Sequence, residues 1–139
     1  MNDLGRFHEA QDRVWPDALA ELRGGRKTSH WMWFVFPQLR GLGRSETARY
    51  YGIADLDEAQ AYLGDPILAG RLHDAATALL SHPGVSAEDI LGSVDAMKLR
   101  SSATLFAHAS EGAMSTLMHD LLARFFAGKP CPLTEAALT

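Results

Sequence analysis

Apolar residues recur along most of this chain every three or four positions, and sustained strict alternation is absent, so the pattern predicts helices rather than strands. Leu4, Phe7, Gln11, Val14, Leu19 and Leu22 mark one face of a helix over residues 3–24. Pro16 interrupts its hydrogen-bond ladder, which predicts either a kink or a second helix with Pro16 in its first turn. Gly24-Gly25 stops it, and Thr28 or Ser29 is placed to cap a helix over 31–36 that Pro37 ends. The aromatic and β-branched run from Trp31 to Phe36 also suits a strand, but no partner strand is evident, so a helix is expected.

Further along, Gly41-Leu42-Gly43 reads as a loop. Ser45 caps a short helix to Tyr51, and Asp55 caps another to Leu63. Pro66 opens a long helix with an apolar stripe of Ile67, Leu68, Leu72, Ala75, Ala76, Leu79 and Leu80, closed by His82-Pro83-Gly84. Ser86 begins a short helix to Leu91. Ser93 begins one to His108, and Gly112 to Phe126 forms the last long helix, stopped by Gly128, before a final turn over 133–138. Short joints between such helices predict an all-α, compact, multi-helical single domain over residues 1–139.

Composition narrows this only in places. With 47% hydrophobic and 22% charged residues the chain has a globular balance. The single cysteine, Cys131, excludes an internal disulfide and a cysteine-based metal site, and fits a reducing, cytoplasmic setting. No signal peptide or membrane span is visible, so no membrane partner is expected. The net charge of −4 argues against general nucleic-acid binding. That charge is unevenly spread. Arg23, Arg26, Lys27, Arg40, Arg44 and Arg49 face a single acid, Glu46, between residues 23 and 49, a local balance of +5 that leaves −9 for the rest. A positive segment on an acidic chain suggests a site for an anionic small molecule, although pairing with neighbouring acidic helices would explain it equally well.

Three places could carry chemistry. In His30-Trp31-Met32-Trp33, two tryptophans offer flat apolar surface for stacking and His30 an acid or base near neutral pH; the plainer reading is core packing. If this stretch is helical, His30 and Trp33 share a face. In the loop from Pro37 through Gln38 to Ser45, glycines and a helix start beside Arg44 and Ser45 suit an anion; a capped tight turn is the plainer reading. On the helix after Ser93, Asp95, Lys98 and Ser102 line one side, with Ser101 and Ser102 leaving room for a ligand or for a packed helix. A buried Lys98 could act as base or nucleophile, whereas an Asp95–Lys98 surface pair is the bland alternative. His30 and Lys98 are thus the catalytic candidates, and Trp31, Trp33, Gln38, Arg44, Ser45, Ser101 and Ser102 the ligand-binding ones. The histidines show no metal-ligand spacing, His8 and Asp12 read as an ordinary exposed pair, and neither a metal nor a cofactor is expected.

The run Arg26-Lys27-Thr28-Ser29-His30-Trp31-Met32-Trp33-Phe34-Val35-Phe36-Pro37-Gln38, with Gly41-Leu42-Gly43-Arg44-Ser45, closely resembles the signature of a bacterial family known as domain of unknown function 1810. Tyr51-Gly52-Ile53, the stretch 58–63, the run 66–72 and Lys98-Leu99 with Ser101-Ser102 match it too. The resemblance spans nearly the whole chain. It implies a compact multi-helical domain and no particular activity. The calpastatin label sometimes attached to that family does not suit a chain patterned for a core, since an inhibitor repeat of that kind would be polar and disordered. A fainter likeness to all-α glycosidases of the NADAR type, which act on N-glycosidic bonds of ribose phosphates, would give His30, Trp33 and Gln38 one part and Lys98 another. The expected function is binding of a nucleotide or phosphosugar, with hydrolysis or transfer at an N-glycosidic bond. The alternative is a non-catalytic protein- or RNA-binding module using Trp31 and Trp33, and the third reading makes the tryptophans purely structural. The sequence does not fix the oligomeric state.

Overall fold

In the computed structural model, which describes residues 3–138, the chain is all-α. Its helices are α1 (Gly5–Arg23), α2 (Met32–Val35), α3 (Glu46–Tyr51), α4 (Leu56–Gly64), α5 (Pro66–Leu80), α6 (Ala87–Leu91), α7 (Ser93–His108), α8 (Gly112–Phe126) and α9 (Pro132–Leu138). Residues 1, 2 and 139, the ends of the expected 1–139 domain, lie outside the described residues. Four helix starts fall where short polar side chains cap them. Ser45 Oγ accepts from the Ala48 amide, Asp55 from Glu58, Asp65 from Ile67 and Leu68, and Ser86 from Asp89.

Several expectations are corrected. Of the two expectations for Pro16, the separate second helix is excluded: α1 continues through the proline, which lies on its exposed face, where the carbonyl deprived of an N–H partner can be hydrated. The helix expected over 31–36 is a single turn with Trp31 at its N-cap, and neither Thr28 nor Ser29 caps it. Their amides instead bind the Glu21 carboxylate, at 2.7 and 3.0 Å, as does the Ser29 hydroxyl. His30 therefore stands outside any helix, and the face it was expected to share with Trp33 does not exist. Past Phe36 the chain is extended, and Leu39 forms one parallel bridge with Ile53. His8 pairs with Asp65 at 2.7 Å rather than with Asp12, which pairs with Arg71. Ile67, expected in the core stripe, is 54% exposed. The last long helix closes on Ala127 in the left-handed region (φ 54°), one residue before Gly128.

α7 is the centre of the molecule, packed against α8, α6, α9, α4 and α2. A chain of aromatic rings crosses the core: Phe7 meets Tyr62 edge-on at 5.2 Å, and Tyr62 meets Phe106 at 5.1 Å. Fully buried Gln11 ties this chain to the short α2, its amide donating to the Phe34 carbonyl (2.7 Å) and the Tyr62 hydroxyl (3.0 Å). Buried Arg6 uses every N–H of its guanidinium. It donates to both Glu58 carboxylate oxygens (3.2 and 3.1 Å) and to the carbonyls of Asp3, Tyr50 and Gly52. Glu58 also accepts from the Ala54 amide at 2.8 Å, so this one ion pair fixes the path between α3 and α4.

Candidate functional site

The segment between α1 and α2 is placed by two anchors. The Lys27 amide donates to the Ile90 carbonyl at 2.7 Å, which sets Lys27 beside the start of α7. Glu21, on the last turn of α1, gathers Thr28, Ser29 and the Trp31 indole N–H (3.0 Å). Partial burial pushes the Glu21 carboxyl up, but the four donated bonds outweigh it and hold its pKa at about 2. Trp31 is thereby buried, 1% exposed, with its polar edge satisfied.

These anchors shape a cleft of about 290 Å³ in front of α7. Its aromatic and apolar wall is Trp31, Met32, Trp33 and Phe34; Lys27, His30, Thr47, Asp95 and Lys98 supply the polar lining. At its base, the Asp95 carboxylate takes Lys27 on one oxygen (2.9 Å) and Lys98 on the other (3.0 Å). Lys98 Nζ also lies 3.8 Å from the centroid of the Trp33 ring, and Lys27 Nζ 5.1 Å from that of Trp31. Each ammonium thus rests against an indole face, a contact worth about 0.5–2 kcal/mol. Partial burial pushes the Asp95 carboxyl up, yet the hydrogen bonds and charges of Lys27 and Lys98 more than offset it and hold it below the ordinary carboxylate range. The three charges leave one net positive charge beside two indoles.

The cleft brings together four of the sequence candidates: His30, Trp31, Trp33 and Lys98. The others sit elsewhere. Gln38 is buried, its carbonyl accepting the Ile53 amide at 2.9 Å. Ser45 is occupied as the cap of α3, and Arg44 beside it is exposed and does not line the cleft. Gly43 serves packing: a Cβ there would meet Ala48 Cβ at 2.7 Å and the Trp33 ring edge at 3.4 Å. Ser101 and Ser102 are buried in α7, where Ser101 faces Cys131 at 3.4 Å and the small side chains admit the segment before α9. Sequence reasoning passed over Lys27, Thr47 and Phe34 as cleft residues, and Glu21 as their organiser. Lys27 was visible only as one of six cations in the basic segment. Among the described residues no group of three or more His, Cys, Asp or Glu that could hold a metal ion comes together.

A helical domain whose central helix floors a cationic, aromatic-walled cleft is the class of protein these features define. The chain belongs to the family described as "Protein of unknown function (DUF1810)", whose model matches residues 1–138. It is similar to the conserved hypothetical protein Rv1873 from Mycobacterium tuberculosis, known from a crystal structure. The two are 48% identical over 98% of this chain and 96% of that one, with a TM-score of 0.94. No curated protein matches. No helix among the described residues is long and apolar enough to cross a membrane.

Proposed function

We propose that the cleft binds a phosphorylated ribosyl compound, a nucleotide or phosphosugar, and that its reaction is hydrolysis or transfer at an N-glycosidic bond. The observation that carries this reading is the placement of Lys98, which meets Asp95 at 3.0 Å and the Trp33 face at 3.8 Å within one cleft that Lys27 and His30 also line. Two ammonium groups suit a phosphate, and the half-buried Trp33 ring suits a sugar or base. Asp95, engaged on both oxygens by the two ammonium groups, holds them towards the bound phosphate. In hydrolysis the carbon–nitrogen bond breaks as the oxygen of water bonds to the anomeric carbon, and the proton that water loses is the one the departing nitrogen gains, relayed by His30, which lines the cleft.

The alternative, a protein- or RNA-binding module displaying Trp31 and Trp33, gains nothing from a Trp31 that is 1% exposed and bonded to Glu21. A thermal-shift panel of ribose 5-phosphate, AMP and ADP-ribose, with adenosine as the uncharged control, tests the proposal. A phosphate-bearing ligand at a hundredfold over its dissociation constant is expected to stabilise the fold by about 2.7 kcal/mol. No stabilisation by any phosphate-bearing member, or equal stabilisation by adenosine, would sink the reading.

A further inference from the structure

A second cleft, also of about 290 Å³, opens where the end of α7, α8 and the chain around α9 meet, and it shares no residue with the first. Ala107, Leu122 and Pro130 give it apolar walls; His108, His119 and Glu135 give it polar ones. Hydrogen bonds set the tautomer of each ring. His119 Nδ1 lies 2.8 Å from the Ser115 carbonyl, which can only accept, so Nδ1 carries the proton. His108 Nε2 donates to Glu135 Oε2 at 2.6 Å, a charge-assisted bond that orients the ring as a carboxylate orients a catalytic or metal-bound histidine. In the neutral rings the remaining lone pairs are on His108 Nδ1 and His119 Nε2. A cleft with apolar walls is therefore edged by two solvent-exposed imidazoles, each hydrogen-bonded through one nitrogen so that in the neutral ring the other accepts. His108, His119 and Glu135 line the cleft but do not come together as a metal's ligand set, and no other such set forms among the described residues. The volume is at the lower limit for small-molecule pockets, enough for one ring.

We propose that this cleft binds a single-ring hydroxylated compound of the phenol class, and that His108, backed by Glu135, accepts the proton of its hydroxyl. In that transfer the ligand's O–H bond breaks and its electron pair stays on oxygen. The proton bonds to His108 Nδ1, and the Nε2–H remains on Glu135, so the imidazolium lies between two anions. The arrangement is the base half of a hydrolytic triad with the ligand's own hydroxyl as the activated group.

The test uses p-nitrophenol, whose phenolate absorbs visibly, at a pH where the free probe is mostly un-ionised. The native protein should raise the phenolate band saturably, and equilibrium dialysis should show matching binding. His108→Gln should abolish the band, and Glu135→Gln should lower the bound phenolate fraction about tenfold, the effect of losing one hydrogen bond to a charged group. Lys98→Met, in the other cleft, should leave both readouts unchanged. His119→Gln, made independently, should weaken dialysis binding without removing the band at saturation. Absence of saturable binding to the native protein overturns the proposal. So does a His108→Gln variant that melts like the native protein and ionises the probe as well.

Discussion

Lys98 is held by two neighbours of different kinds, a carboxylate and an indole face, and Lys27 mirrors it on the other oxygen of Asp95. Such a clamp holds both ammonium groups at the cleft. The Asp95–Lys98 half was legible in the sequence because residues three apart share a helix face. The Lys27 half was not, because a backbone bond to Ile90 places it. Glu21 was equally invisible: its four donors come from a loop whose path only the tertiary structure fixes. Glu21→Gln should therefore cost about 0.5–1.5 kcal/mol, the net worth of a hydrogen bond, since of its donors only the Trp31 indole is partly buried, measured by urea denaturation near neutral pH. Because the folded pKa of Glu21 lies at about 2, below its ordinary 4.5, its contribution is fully present above 4.5 and is lost as pH falls towards 2. Over that interval, the stability gap between the native protein and Glu21→Gln should close.

At the scale of elements, most starts and stops read well, and α2 is the exception. Ser45, Asp55 and Ser86 cap the helices that the sequence assigns to them, since a side chain bonding an amide two or three residues on is a local event. α8 ends at Phe126, where the sequence ends it, but Ala127 precedes Gly128 as the first left-handed residue. An alanine pays a steric penalty there that glycine escapes, so Ala127→Gly should stabilise the protein by about 1 kcal/mol, seen as a raised melting temperature. Gly52 presents the opposite case. A Cβ at that position would lie 2.7 Å from the backbone Cα of Arg40 and 2.9 Å from the Ala48 carbonyl. Gly52→Ala should force apart the Leu39–Ile53 bridge and destabilise the fold by about 1–3 kcal/mol, the usual cost of overpacking. The single-turn α2 illustrates the limit of periodicity: six apolar residues suit either regular form, and it is Gln11 and Glu21, from another helix, that hold the segment in place.

For the whole molecule, the all-α class followed from the spacing of apolar positions alone, while the arrangement of the helices depends on buried polar ties that hydrophobic patterning does not encode. Arg6 and Glu58 are the chief example, both side chains at most 5% exposed and joined across the gap between α1 and α4. Glu58→Gln should leave the Arg6 guanidinium without its counter-charge and cost about 3–5 kcal/mol, read from equilibrium unfolding. The same global packing decides which candidates meet. It draws His30, Trp31, Trp33 and Lys98 into one cleft, and leaves Gln38, Arg44, Ser45, Ser101 and Ser102 off its lining. The most direct test of the cleft's proposed role is a calorimetric titration of the native protein and of Lys98→Met with AMP, both confirmed folded by their melting curves. The account predicts saturable binding to the native protein and at least about a tenfold loss on removing Lys98, the effect of one charge-assisted contact. Native protein that gives no binding heat, or a Lys98→Met variant that binds AMP as tightly as the native one, would contradict it.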